Sequence, residues 1–239
     1  MRVVAHHEQA AAVSRLSLSG AVIDLAAPDA AATTIAYAAL LDTPTGEPTV
    51  SNGSVRRHDP TSGPALVHFG TDDPDAATRL LGRRDLSPQE PVTVTPDVGA
   101  LPLDRRDIIA IDHLVFTAPS RDHAAALFGA TLDLDFRLDR TIGDGVHQMF
   151  FRADDLVVEV VAGTESDESR ACTLWGVAWR SADVDATHRR LAGGGVTTSE
   201  VRIGKKPGTR LFTVRDPALA TRTVVIGPLP DGASDDQSE

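Results

Sequence analysis

The chain reads as an α+β protein made of repeated strand, helix, three-strand modules, with a shorter and degenerate copy of the module pair in its N-terminal half. Three observations predict this. Two segments recur at a fixed offset, period-two apolar runs follow each of the later helices, and proline and glycine interrupt the first half where the second half has strands.

The first unit opens on the apolar run "AVIDL" and continues through "AAPDAAATTIAYAALLD" (26–42). The segment "TAPSRDHAAALFGATLD" (117–133) repeats it at an offset of 91, matching Pro28 with Pro119, Tyr37 with Phe128, Leu41 with Leu132 and Asp42 with Asp133. Each copy is strand, turn, helix. A second pair, "ALVHFGTDDPDAATRLL" (65–81) and "WGVAWRSADVDATHRRL" (175–191), matches Val67 with Val177, Asp73 with Asp183, Asp75 with Asp185 and Leu81 with Leu191 at an offset of 110. Four units follow, near 18–60, 64–98, 108–163 and 172–228. The first two carry "TPTGEP" and "DPTSGP" in place of further strands.

The third unit adds three strand-like runs, "DFRLDR", "VHQMFFR" and "LVVEVVAG", and the fourth repeats them with "VTTSEVRI", "TRLFTVRD" and "TRTVVIG". If Ala153-Asp154-Asp155 is the turn of a hairpin, Met149 faces Glu159 across the ladder and alternation puts His147 and Phe151 on that same face. These three are therefore expected to contact a ligand. Eight of the ten aromatic residues lie beyond residue 110, so the better pocket is expected in the second half. The domain division expected is 1–104 for the degenerate pair, 105–230 for the C-terminal pair with the site, and 231–239 as a disordered acidic tail; "TPDVGALPLDRR" (95–106) is the linker.

Bulk properties narrow the function. A net charge of −11 over 239 residues argues against nucleic-acid or anionic-membrane partners, which need a basic surface. The single cysteine, Cys172, can form no internal disulfide, and the N-terminus lacks a charged n-region followed by an apolar stretch, so a cytoplasmic protein is expected. Its Ala, Arg and Asp usage suggests bacterial coding. No P-loop, dinucleotide fingerprint, "GxSxG" or "CxxC" occurs.

Two residues carry the chemistry. His113 interrupts the apolar run "IDHLVF", and a lone strand histidine is more often structural than ligating. Glu159 within "LVVEVV" is costly to bury without a cation, a donor or a proton, and so needs a partner: a metal, an arginine or the substrate. Paired modules whose first strand carries "DHLVF" and whose last carries "VVEVV" resemble the vicinal oxygen chelate superfamily, which includes glyoxalase I, methylmalonyl-CoA epimerase, extradiol dioxygenases and bleomycin-resistance proteins. The likeness covers about 105–228 directly, and 18–98 through the repeat.

The resemblance implies a cupped, mostly antiparallel sheet around one site, with ligands from the first and last strand of each unit. It assigns His113 and Glu159 to a divalent metal (Zn, Ni, Fe, Co or Mn) or, with no metal, to proton transfer next to a carbonyl. The chain departs from the pattern at Gly176, Val22 and Leu66, which stand at the other first-strand positions, and "RTVVIG" has no carboxylate. The implied function is a glyoxalase-like lyase, isomerase or epimerase acting on a small oxygenated substrate. The alternative is sequestration of a small molecule, as in bleomycin resistance. The N-terminal half would cover sheet edges or mediate a homodimer. Lys205, Lys206 and Arg210 of "GKKPGTR" are candidate clamps for a substrate anion. His123 and His188 read as surface, Trp175 and Trp179 as facing the helices together, and His58 and His68 as remnants with no strand carboxylate beside them. Cys172 has no sequence neighbour suggesting a nucleophile.

Overall fold

The computed structural model describes residues 16–43, 47–97, 106–163 and 171–230, so the linker, the acidic tail, His6 and His7 lie largely or wholly outside it. The first unit is β1 (Ser19–Ala26), α1 (Ala30–Leu41), β2 (Thr49–Val50) and β3 (Gly53–His58), and the second is β4 (Leu66–Thr71), α2 (Pro74–Arg83) and β5 (Val92–Pro96). The third is β6 (Ile108–Ala118), α3 (Arg121–Ala124) with a π-helical continuation (Ala125–Thr131), β7 (Asp135–Thr141), β8 (His147–Ala153) and β9 (Leu156–Ala162). The fourth is β10 (Thr173–Ser181), α4 (Val184–Gly193), β11 (Arg202–Ile203), β12 (Thr209–Val214) and β13 (Arg222–Pro228).

The repeat is visible in local chemistry. Asp29 caps α1 by accepting from the Ala32 N–H, and Asp73 and Asp183 cap α2 and α4 by accepting from Ala76 and Ala186, each at 2.9 Å. Asp42 and Asp133 both end their helical segments in the left-handed region, at φ 51° and 58°, a conformation that Asp tolerates better than most residues. Tyr37 and Phe128, matched in the repeat, are both buried.

Strand order then carries the repeat to the sheet. The eight-stranded sheet runs β11-β12-β13-β10-β6-β9-β8-β7, and five of its seven pairings are antiparallel. Its two halves mirror each other about the β10/β6 pair. The five-stranded sheet, β2-β3-β1-β4-β5, keeps the inner strands of the same plan and lacks the outer ones. The proline- and glycine-rich stretches thus mark real truncation, and the α+β expectation with a cupped C-terminal pair and a degenerate N-terminal copy holds.

The helices cover one face of each sheet. Phe116, Phe128 and Phe151 stack in sequence there, with centroids 5.1 and 5.7 Å apart. The same apolar core continues into the N-terminal half, where Tyr37 of α1 meets Trp179 of β10 edge-on at 6.2 Å. Arg190 of α4 grips Asp107 with two bonds of 2.8 and 2.9 Å and donates to the carbonyls of Ala39 and Leu40 at the end of α1. That satisfies helix-end carbonyls that have no partner of their own.

Trp175 departs from the expected parity. A β-bulge between Leu174 and Gly176 turns it outward, where the Arg222 guanidinium lies 4.4 Å from its ring centroid, while Trp179 stays fully buried. Among the described residues no helix is long and apolar enough to cross a membrane.

Candidate functional site

The register of the C-terminal sheet decides which side chains meet in its cup. β6 runs parallel to β9 with His113 opposite Val157 and Val115 opposite Glu159, so His113 and Glu159 share the face away from the helices. The sequence expectation that they converge is met in distance: His113 Nε2 is 3.5 Å from Glu159 Oε2. Both are partly buried, at 22% and 16% side-chain exposure, sheltered yet open to a ligand.

The hairpin register differs from the expected one by a single residue. The connection is a two-residue loop, Asp154-Asp155, between the paired Ala153 and Leu156, with Asp154 at φ 54°. Phe150, not Met149, therefore faces Glu159, and a one-residue slip inverts every side chain of the strand. His147, Met149 and Phe151 lie on the helix side: Met149 and Phe151 are buried in the core, and His147 Nδ1 lies 2.8 Å from Asp139, which Arg121 of α3 also holds. Gln148, Phe150 and Arg152 take the cup face instead.

A polar chain crosses four strands of that face. Arg140 of β7 donates to Gln148 Oε1 at 2.8 Å, and the Gln148 amide donates to Glu159 Oε1. Glu159 neighbours His113, whose Nδ1 is 2.9 Å from Asp112 Oδ2. Burial pushes the Asp112 carboxyl up, but the His113 hydrogen bond and the charges of His113, Lys206 and Arg180 outweigh it and hold it below the usual aspartate value. An ionised Asp112 can only accept, so the His113 ring donates Nδ1–H to it and turns Nε2 toward Glu159. A β-bulge between Ala178 and Trp179 displaces Asp112 and lets adjacent residues 112 and 113 cooperate.

The basic loop contributes differently from expectation. Arg210 points to the helix side and pairs with Asp185 of α4. Lys205 is exposed, and Lys206 is the loop cation whose charge reaches Asp112.

Among the described residues, the strands of the fourth unit place no imidazole or carboxylate on the cup face. Gly176 sits opposite Arg222, and two residues further along β13 Val224 occupies the place that register gives Glu159 in the third unit. A Cβ at 176 would lie 3.0 Å from the Arg222 carbonyl oxygen, so a side chain there needs its neighbour to give by a few tenths of an ångström. Of the four ligand positions that the resemblance implies, only His113 and Glu159 carry a metal-ligating side chain. Catalytic zinc sites have three protein ligands, and Asp112 is engaged with Nδ1, so this donor set does not fit a resident metal.

Other clusters escaped the sequence reading. Asp24 of β1 does supply a carboxylate to the histidines of the N-terminal sheet: His58 Nδ1 is 3.0 Å and His68 Nε2 3.9 Å from it. Alternation placed Asp24 two residues from Val22 on the same face, which was the available signal. Beside it a cavity of about 410 Å³ is lined by Val22, Glu47, Ser54, Arg56 and Thr95, placing a sizeable pocket in the half where it was not expected. His123 is not a bare surface residue but meets Glu90 at 2.7 Å, and His188 packs edge-on against Phe212 and bonds Ser199.

Residues 112–212 match the family described as the Glyoxalase/Bleomycin resistance protein/Dioxygenase superfamily, which agrees with the resemblance read from the sequence of the C-terminal module pair. A mutant of 4-hydroxymandelate synthase from Streptomyces coelicolor aligns over 92% of this chain and 94% of its own, with 12% identity and a TM-score of 0.61. A xylose isomerase-like TIM barrel/4-hydroxyphenylpyruvate dioxygenase fusion protein aligns over 93% of this chain and 51% of its own, with 11% identity and a TM-score of 0.63. Methylmalonyl-CoA epimerase from Mycobacterium tuberculosis covers 54% of this chain and 94% of its own at 18% identity and a TM-score of 0.45. No curated protein sequence matches the chain. The first two likenesses extend over both halves and establish the fold.

Proposed function

We propose that the C-terminal cup is the active site of a lyase, isomerase or epimerase that moves a proton at a carbon next to a carbonyl of a small oxygenated substrate. The observation that carries this reading is the 3.5 Å approach of His113 Nε2 to Glu159 Oε2, with both residues held by further partners. Glu159 is the base. The substrate C–H bond breaks, its proton passes to Glu159, and the electron pair moves onto the carbonyl oxygen. In the form that carries Nε2–H, His113 hydrogen-bonds that oxygen as charge develops.

The remaining residues position these two. Gln148 fixes the Glu159 carboxylate, Asp112 fixes the imidazole, and Phe150 with Lys206 and Lys205 flanks the bound molecule. Return of the proton to the same carbon from either face gives epimerisation, and return to a neighbouring carbon gives isomerisation. His147, Met149 and Phe151 support the floor from behind. The chain works in this reading as a cytoplasmic protein with a small-molecule partner.

The test is solvent-deuterium exchange at the acidic carbon of 2-oxo acids, 2-hydroxy ketones and 2-methyl thioesters, followed by NMR. Wild type should exchange one class, and Glu159→Gln should slow it by about 10²–10⁴-fold, the usual worth of a positioned base. Binding of a compound without exchange, undiminished in Glu159→Gln, would instead favour sequestration, a reading supported by the donor-free Gly176 and Val224.

A further inference from the structure

Away from the cup, three elements meet at the seam between the two sheets. Glu90 precedes β5, His123 lies on α3, and Cys172 leads into β10. Their ligand atoms all lie within 4.8 Å of one another. Glu90 Oε1 is 2.7 Å from His123 Nε2, and Glu90 Oε2 accepts the Cys172 backbone N–H at 3.1 Å. Glu90 and Cys172 are buried, whereas His123 keeps 27% of its side chain exposed.

We propose that Glu90, His123 and Cys172 form a binding site for one zinc-class divalent cation that ties the N-terminal sheet to the cup-forming sheet. Carboxylate oxygen, imidazole nitrogen and sulfur are a borderline-soft set of the kind that selects zinc over magnesium or calcium. Three ligands leave a fourth position, and the partly exposed imidazole edge gives the ion a way in. The charge arrangement supports the assignment. The buried Glu90 carboxylate sits beside the buried Cys172 thiol and the His123 imidazole. A divalent ion offsets the Glu90 carboxylate and the thiolate that its binding creates.

Binding breaks the Cys172 S–H bond, releases that proton to solvent and forms the sulfur–metal bond. His123 then ligates through Nε2, giving up its hydrogen bond to Glu90 for a shared ion. Affinity must therefore fall as pH falls.

Cys172 is the chain's one cysteine, which makes the experiment clean. Full-length, tag-free protein is stripped with chelator and titrated with Co²⁺, then with Zn²⁺, and the thiolate-to-cobalt charge-transfer band is followed. Wild type should develop the band to one equivalent and lose it on adding Zn²⁺. Cys172→Ser should show no band, and His123→Ala should weaken cobalt binding at least tenfold. His113→Ala and Glu159→Gln should leave both band and stoichiometry unchanged, which separates this site from the cup. A folded wild type that binds no cobalt, or binds it without a thiolate band, overturns the proposal even where a variant fails to fold.

Discussion

Asn52→Ala probes how the N-terminal half supports the cup. β6 extends five residues before its pairing with β9 begins at His113, so its leading edge lacks a strand on that side. Asn52 supplies the missing partners: Ile111 N–H donates to its Oδ1 at 2.8 Å, and its Nδ2 donates to the Ile111 carbonyl at 3.0 Å and to Asp155 at 3.2 Å. Adjacent Gly53 must be glycine, because a Cβ there would lie 2.4 Å from the Ala21 carbonyl oxygen and 2.5 Å from Ile111. Truncation to alanine leaves a buried N–H and a buried C=O without partners, each costing about 1–3 kcal/mol, so the protein should lose about 2–6 kcal/mol. Asn52→Asp should not rescue it, since its second oxygen would face the Ile111 carbonyl and Asp155. Urea unfolding measures the loss, and amide exchange at Ile111 locates it next to Asp112 and His113. A change below about 0.5 kcal/mol, the size of an ordinary surface substitution, with Ile111 exchange unaltered, would refute the reasoning.

The β8 register predicts that Phe151→Ala costs about 3–5 kcal/mol, while Phe150→Ala leaves stability nearly intact and weakens ligand binding; equal effects on stability would contradict the faces assigned. The Asp24 hydrogen bond, acting against burial, raises the His58 pKa above its ordinary 6.5, so the stability it lends is complete below that value and fades as pH rises through the raised one. An NMR titration should show His58 of wild type titrating above that of Asp24→Asn, and identical curves would discard the pairing. Arg190→Lys should destabilise by about 1–3 kcal/mol in thermal or urea unfolding, because an ammonium cannot hold Asp107 with two bonds and reach the α1 carbonyls as well; an unchanged midpoint would reject that account.

The strands of the third unit were legible because their period-two pattern is strong: in β9, Leu156, Val158, Val160 and Ala162 are buried and Val157, Glu159 and Val161 are only partly so. The helix ends were legible through their aspartates. The turn of the β8–β9 hairpin was misread by one residue, and that slip alone sent His147, Met149 and Phe151 to the wrong side; two-residue loops are the commonest hairpin connection, and Asp154-Asp155 fits one. Asp112 was readable as the neighbour of His113, but its cooperation with that residue depends on a β-bulge that no local pattern announces. The Glu90–Cys172 contact spans 82 residues, and only the folding of the two halves against each other brings it about.

The asymmetry of the cup bears on what it can bind. A pseudo-twofold sheet should place donors in equivalent pairs, yet Glu159 is answered by Val224 and His113 by Gly176. The loss is structural as well as chemical: the Trp175 bulge brings Arg222 over the indole, and the Arg222 carbonyl crowds the place where a side chain at 176 would start. A side chain at 176 needs only a small shift of its neighbour, but Val224 would still stand opposite Glu159 in the repeat, so one substitution does not restore the four-position set. Carboxylate, amide and imidazole groups line the floor under the third unit, while the wall from the fourth presents Gly176, Ala178 and Val224 together with the cations Arg180 and Arg222. The two sides of the cup therefore differ in charge, with Glu159 and His113 on β9 and β6 facing a wall of small apolar residues and arginines on β10 and β13.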